Sequence, residues 1–297
     1  MVDMKHIAKR LFDRLARSVA DELQLEFGTN FRSNEAVAQK ALMQEYRLLA
    51  ARGKGCLPPL SDVGFRNYSQ FEEDGILLYL FSLISPINRK CVEICAGNGR
   101  ECMTANLIIN HGWWGYLFDG MDSNVQSAMR FFANNKDTFL HPPKFTKAWI
   151  TAENVNEHLA AVGVTGPIDL LSLDLDGMDY WVWKAITAID PCVVVCETHN
   201  AAPIGRAVTV PYDPKFVCNS ENYRGASLEA MCRLGKEKGY RLVGTHRFGF
   251  NAFFVKDGVG NDFFPEVAAS SCLSDPFSEK RRHDWAEVAS MPWQEVK

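Results

Sequence analysis

None of the nine cysteines stands in a C-x-x-C pair, so neither a zinc ribbon nor a thioredoxin-like motif is available. The odd count also argues against a disulfide framework. Cys91, Cys95, Cys192 and Cys196 sit inside apolar runs and read as small buried thiols of a reducing compartment. There is no excess of basic charge. The formal net charge is −4, which excludes a nucleic-acid binder that relies on a basic surface. No run approaches the ~18 apolar residues of a membrane span, and the N-terminus lacks the basic-then-apolar order of a secretory signal. No internal repeat or low-complexity tract is present. These absences leave a cytoplasmic protein without nucleic-acid or membrane partners. Its 297 residues, 47% of them hydrophobic, are enough to bury a full core.

The chain divides into three parts. Residues 1–60 read as a helical segment, with Ile7, Leu11, Leu15, Val19 and Leu23 at intervals of four. A second stripe follows at Val37, Ala41, Leu42, Tyr46 and Leu49, and "RGKGCLPPLSD" closes the segment as a linker. Mixed charges on the first helix disfavour a membrane or targeting role. They favour packing on the main domain, a lid over it, or contact between copies in a homo-oligomer. Residues 61–257 form the main domain. Residues 258–297 read as an irregular polar tail anchored by Trp285 and Trp293.

Within the main domain, apolar strands alternate with amphipathic helices. The strand candidates are "CVEICA", "GYLFD", "KFTKAWI", "IDLLSLD" and "CVVVCE". The helix "GASLEAMCRLGKEKGY" then precedes a hairpin of "YRLVGTHRF" and "NAFFVKD" turning at Gly249. The implied fold is α/β: a doubly wound, Rossmann-like, mostly parallel seven-stranded sheet with a C-terminal antiparallel hairpin.

The first strand breaks into Ala96-Gly97-Asn98-Gly99, and a helical stretch "RECMTANLIINHG" follows, closed by Gly112. Asp119 ends the next strand about 20 positions beyond Gly99, where an acid commonly grips ribose hydroxyls. Asp122 competes with it for that role; Asp119 lies directly at the strand end. A dinucleotide site would want a third glycine where Cys102 stands, so a nicotinamide-dependent oxidoreductase is the alternative reading.

The strand order, "CVEICAGNG", "YSQFEEDGILLYLF" and "LLSLDLDGMDYWVW" together resemble class I S-adenosylmethionine-dependent methyltransferases, and among them the FkbM-like branch. The resemblance spans roughly residues 68–256, with Cys95 standing where the first motif often has glycine. It implies S-adenosyl-L-methionine as cofactor, with Glu93 orienting its amino-acid end and Gly97 and Gly99 admitting its methionine and ribose portions. Asp119 would take the ribose hydroxyls. Ala96, Gly120, Thr151 and Asp174 complete the implied contacts, together with Gln70, for which a structural role at a helix start is the alternative. The implied activity is methyl transfer to an oxygen of a small polar acceptor, with nitrogen as the alternative atom and a non-catalytic cofactor-binding protein as the alternative class.

Ligands of open α/β sheets bind beyond the carboxyl ends of the strands. There this sequence places Thr151 and Glu153, then Asp174, Asp176 and Asp179, then Glu197, His199 and Asn200. Asp174, Asp176, Glu197 and Asn200 form an oxygen set suited to Mg²⁺ or Mn²⁺. That set is similar to the sites of TylF-type and catechol-type O-methyltransferases. A metal-free site, its acids binding substrate or capping helices, is the alternative. His199 and Asp176 are the candidate catalytic residues, with His199 as base. His246 ranks behind it. Residues 201–224 exceed an ordinary loop and are expected to cover the acceptor.

Overall fold

Apolar runs bounded by glycine, proline or asparagine become the strands of one sheet in a computed structural model describing residues 35–220 and 222–297. The strands are β1 (Lys90–Ile94), β2 (Trp114–Asp119), β3 (Lys144–Lys147), β4 (Gly166–Leu173), β5 (Ile189–Glu197), β6 (Val208–Thr209), β7 (Tyr240–Thr245), β8 (Asn251–Lys256) and β9 (Gln294–Glu295). Seven of them order as β3-β2-β1-β4-β5-β8-β7, while β6 and β9 pair separately. The first five run parallel. β8 enters antiparallel between β5 and β7. The carboxyl ends of β1 to β5 and β7 therefore share one edge with the β7–β8 turn. Because the order reverses between β1 and β4, the loops leaving those two strands diverge and open a crevice.

The central strands are apolar without alternation because both of their faces are covered. Val92, Leu171 and Val194 are fully buried. Trp183, on the helix Asp179–Ala185, packs its ring 5.1 Å from Phe254 and 5.9 Å from Tyr240. Trp183 thus belongs to the core, as does the expected hairpin, whose turn holds Gly249 at φ 73°.

Contacts divide the chain into Met1–Leu42 and Met43–Lys297. The second apolar stripe lies on the helix Glu35–Arg52. The first, Ile7 to Leu23, lies outside the described residues. No helix among the described residues is long and apolar enough to cross a membrane.

Two local expectations are corrected. The helix after the glycine turn starts at Ala105 rather than near Arg100. The tail is not irregular throughout: it forms the helix Pro276–Val288, capped by Asp275, whose carboxylate accepts the Phe277 N–H at 2.7 Å. An N-cap acid followed by proline at the first helical position was the overlooked signal.

Candidate functional site

A cavity of about 460 Å³ opens beyond the carboxyl ends of β1, β2 and β4, within the roughly 300–1,000 Å³ range of small-molecule sites. Of the residues singled out in the sequence, Gly97, Asp119, Gly120, Thr151, Asp174 and Asp176 line it. Met121, Asn124, Trp149, Met178, Phe216, Val217 and Cys218 line it as well and were not foreseen; Tyr212 enters from the covering segment. Its wall contains three aspartates and no lysine, arginine or histidine among the described residues.

The glycine turn is held from below and from the side. Asp119 accepts the Gly97 N–H at 3.0 Å through Oδ2, and the Met121 N–H at 2.8 Å and Asn124 Nδ2 at 3.1 Å through Oδ1. It therefore staples the end of β2 to the turn after β1 while facing the cavity. Asp122 is not at the wall; it lies 3.6 Å from Lys147 on the surface.

Several expected cofactor residues lie elsewhere. Glu93 is 3% exposed, and its carboxylate accepts the N–H groups of Met103 (2.9 Å) and Thr104 (2.8 Å). It also accepts the Thr104 hydroxyl at 2.6 Å and the Cys102 thiol at 3.1 Å. These bonds satisfy N–H groups that precede the helix Ala105–His111 and explain its late start. Glu93 thus anchors the loop and does not line the cavity. Gly99 is also off the wall. A Cβ there would lie 2.8 Å from the Phe132 ring and 3.0 Å from the Ala128 Cβ, so its glycine serves helix packing. Ala96 is buried, and Gln70 is exposed away from the cavity.

The SQ…ED stretch is a turn closed by Asp74. Its Oδ2 accepts the N–H groups of Asn67, Tyr68 and Ser69 at 2.6–2.7 Å and the Ser69 hydroxyl at 2.9 Å. The Tyr68 carbonyl then accepts the Cys102 N–H at 3.1 Å, tying this turn to the loop after β1.

Cys95 lines the cavity with φ 66°, the left-handed region in which a Cβ is strained. Although the residue is exposed at the cavity, enclosure of its thiol by the surrounding protein, and then the nearby carboxylates led by Asp174, push the thiol well above the ordinary cysteine range, so it is neutral. Cys95→Gly is expected to stabilise the fold by about 1 kcal/mol by relieving that strain. Urea unfolding reads this directly; a lowered midpoint would mean that the thiol's contacts outweigh the backbone cost.

At the ends of β4 and β5, one oxygen each from Asp174, Asp176 and Glu197 lie within 4.8 Å of one another. Burial first, then repulsion from neighbouring carboxylates (Asp179 foremost for Asp174, Asp174 for Glu197), pushes the Asp174 and Glu197 carboxyls well above the usual range. Arg224 sits between two of them: Nη1 is 2.5 Å from Asp176 Oδ1 and Nη2 is 2.8 Å from Glu197 Oε1. Burial opposes the guanidinium charge, but Glu197 and Asp176 hold it protonated. A divalent ion does not fit this set as it stands, because Arg224 is already paired to one oxygen of Asp176 and one of Glu197. Asn200 is not part of the set; its Nδ2 donates to the Phe248 carbonyl at 2.8 Å and steadies the β7–β8 turn.

His199 does not reach the cavity. Its Nε2 donates to the Asn222 carbonyl at 2.9 Å and its Nδ1 accepts the Ala201 N–H at 3.2 Å. Its ring lies edge-on to Trp285 and Trp293. Burial lowers its pKa to about 4, leaving a neutral imidazole with both nitrogens engaged. His246 is likewise buried, stacked on Phe71 and lowered to about 4 by burial. Neither histidine is placed to take a proton from a ligand in the cavity.

The covering segment is real and pinned. Tyr212 donates to Glu153 at 2.5 Å, and Trp149 Nε1 donates to the Pro214 carbonyl at 2.8 Å. The Phe216 ring lies where a Cβ on Gly177 would be, 2.3 Å from that position. The glycine of "LDLDG" thus admits the cover. Asp179 holds the same loop by accepting the N–H groups of Leu175 (3.0 Å) and Gly177 (3.2 Å).

No family model matches the chain, and no curated protein matches it. Among solved structures, it is similar to an S-adenosylmethionine-dependent methyltransferase from Clostridium acetobutylicum. That likeness has 12% identity, covers 63% of this chain and 91% of the other, and has a TM-score of 0.40. For the O-methyltransferase from Bacillus cereus in complex with SAH, the values are 11%, 73%, 91% and 0.39. For the N-terminal domain of EvdMO1 with SAH bound they are 13%, 73%, 94% and 0.42. Likenesses this distant carry no assignment of substrate or residue roles.

Proposed function

We propose that this protein is an S-adenosylmethionine-dependent methyltransferase acting on an oxygen of a small polar acceptor. The observation that carries the reading is the cavity wall: three acidic side chains, of which Asp176 is paired to Arg224, with apolar and aromatic surface and no lysine, arginine or histidine in the lining among the described residues. Such a wall favours a positively charged ligand with an aromatic ring and disfavours a pyrophosphate. A nicotinamide dinucleotide would meet no basic group here, and Cys102 is buried against Glu93 where its fingerprint needs glycine.

The donor set fits the sulfonium cofactor, which when bound supplies an activated methyl group beside a positive charge. Asp119 is the residue to hold ribose hydroxyls, with Gly97 admitting close backbone approach. Asp174 faces the positive charge. Trp149 and Phe216 supply apolar wall and exclude water. Orientation of the two reactants supplies much of the rate in such displacements. For the acceptor's proton, Asp174 is a group at the wall that makes no ion pair among the described residues, and, unlike Asp119, its carboxylate is not occupied by the N–H groups of the glycine turn; its raised pKa suits it to that task.

Thermal-shift measurement with S-adenosylhomocysteine, NAD and NADP tests the reading, because selective binding to the folded state raises the melting temperature. Stabilisation by S-adenosylhomocysteine alone is expected. Stabilisation by a dinucleotide alone would establish the oxidoreductase. Binding without transfer of a labelled methyl to any member of an acceptor screen would favour a non-catalytic binding protein.

A further inference from the structure

We infer that Arg224 is the resident cation of the acid cluster and keeps divalent metal out of it. Three carboxylates with oxygens within 4.8 Å repel one another unless protons or a cation compensate. Here the compensation comes from the chain itself. Two nitrogens of one guanidinium reach carboxylates at two strand ends, Asp176 after β4 and Glu197 at the end of β5. Arginine's planar fork suits this bridging, and it does not deprotonate. A divalent ion at the same oxygens would sit within a few ångströms of the guanidinium, and like charges so close exclude each other.

The cluster nevertheless retains the capacity to bind a hard cation. Glu197 Oε2 is buried with no hydrogen-bond partner among the described residues. Asp174 makes no ion pair there. Removing the guanidinium leaves three carboxylates converging on one point, the kind of oxygen set that holds Mg²⁺ or Mn²⁺. Arg224 also ends the covering segment, which is fastened as well by Tyr212 on Glu153, Trp149 on the Pro214 carbonyl and Phe216 against Gly177. One residue therefore compensates part of the cluster's charge and fixes the cover over it, and Asp174 alone of the three makes no ion pair with it.

Titration of Mn²⁺, followed by loss of the free-ion electron paramagnetic resonance signal, tests this. It needs neither cofactor nor acceptor, so its failure is distinct from failure of the methyltransferase reading. Wild type and Arg224→Lys are expected to show no saturable site. Arg224→Met is expected to gain one site per chain, at least about tenfold tighter than any wild-type binding. That site should disappear when Asp176→Asn is added. Arg224→Gln carries the same expectation should the methionine variant not fold. One stoichiometric Mn²⁺ in the wild type would overturn the inference, as would an arginine-free variant that binds no tighter than wild type.

Discussion

Glu93→Ala is expected to cost the protein about 3–5 kcal/mol of folding stability. The carboxylate receives two backbone N–H groups, one hydroxyl and one thiol inside the protein. Truncation strands these donors and leaves a void where β1 meets the loop to Ala105. Each buried donor left unsatisfied costs roughly 1–3 kcal/mol, and relaxation of the loop recovers part of the sum. Chemical denaturation of the purified variant measures the loss. If stability is unchanged while S-adenosylhomocysteine affinity collapses, Glu93 is a ligand-binding acid as the family resemblance implies, and the loop-anchor role is wrong.

Asp119→Ala is expected to weaken S-adenosylhomocysteine binding by about 10- to 100-fold, the equivalent of losing a charged hydrogen bond. Its stability cost is expected to be smaller than that of Glu93→Ala. Asp119 lies at the cavity wall, and the N–H of Met121 that it receives is next to the open side. Because it also holds the Gly97 N–H, Asp119→Asn serves as the companion variant, keeping one acceptor oxygen in place. Calorimetric titration of folded variants decides the matter. Wild-type affinity in Asp119→Ala would remove the ribose assignment.

The sheet was legible because burial on both faces writes itself as continuous apolar runs, and the alternation with amphipathic segments implied the parallel order. The insertion of β8 between β5 and β7 was not legible, since the hairpin pattern fixes only that the two strands pair. Asp119 and Asp174 could be placed because strand ends are local features. Glu93 was misassigned because a strand-end acid reads the same whether it faces a ligand or the N–H groups of Met103 and Thr104. His199 was misassigned because Trp285 and Trp293, which enclose its ring, lie about ninety positions away and in a tail that looked irregular. Arg224 gave no signal at all. Asp176 precedes it by a whole helix and strand and Glu197 by the length of the covering segment, and only the return of that segment brings the charges together.

The most direct measurement is a crystal structure of the protein grown with S-adenosylhomocysteine. The account predicts the ligand in the cavity beyond β1, β2 and β4, its ribose hydroxyls on Asp119 and its sulfur on the side of Asp174. An unliganded cavity at saturating concentration, or the ligand bound elsewhere on the chain, would contradict it.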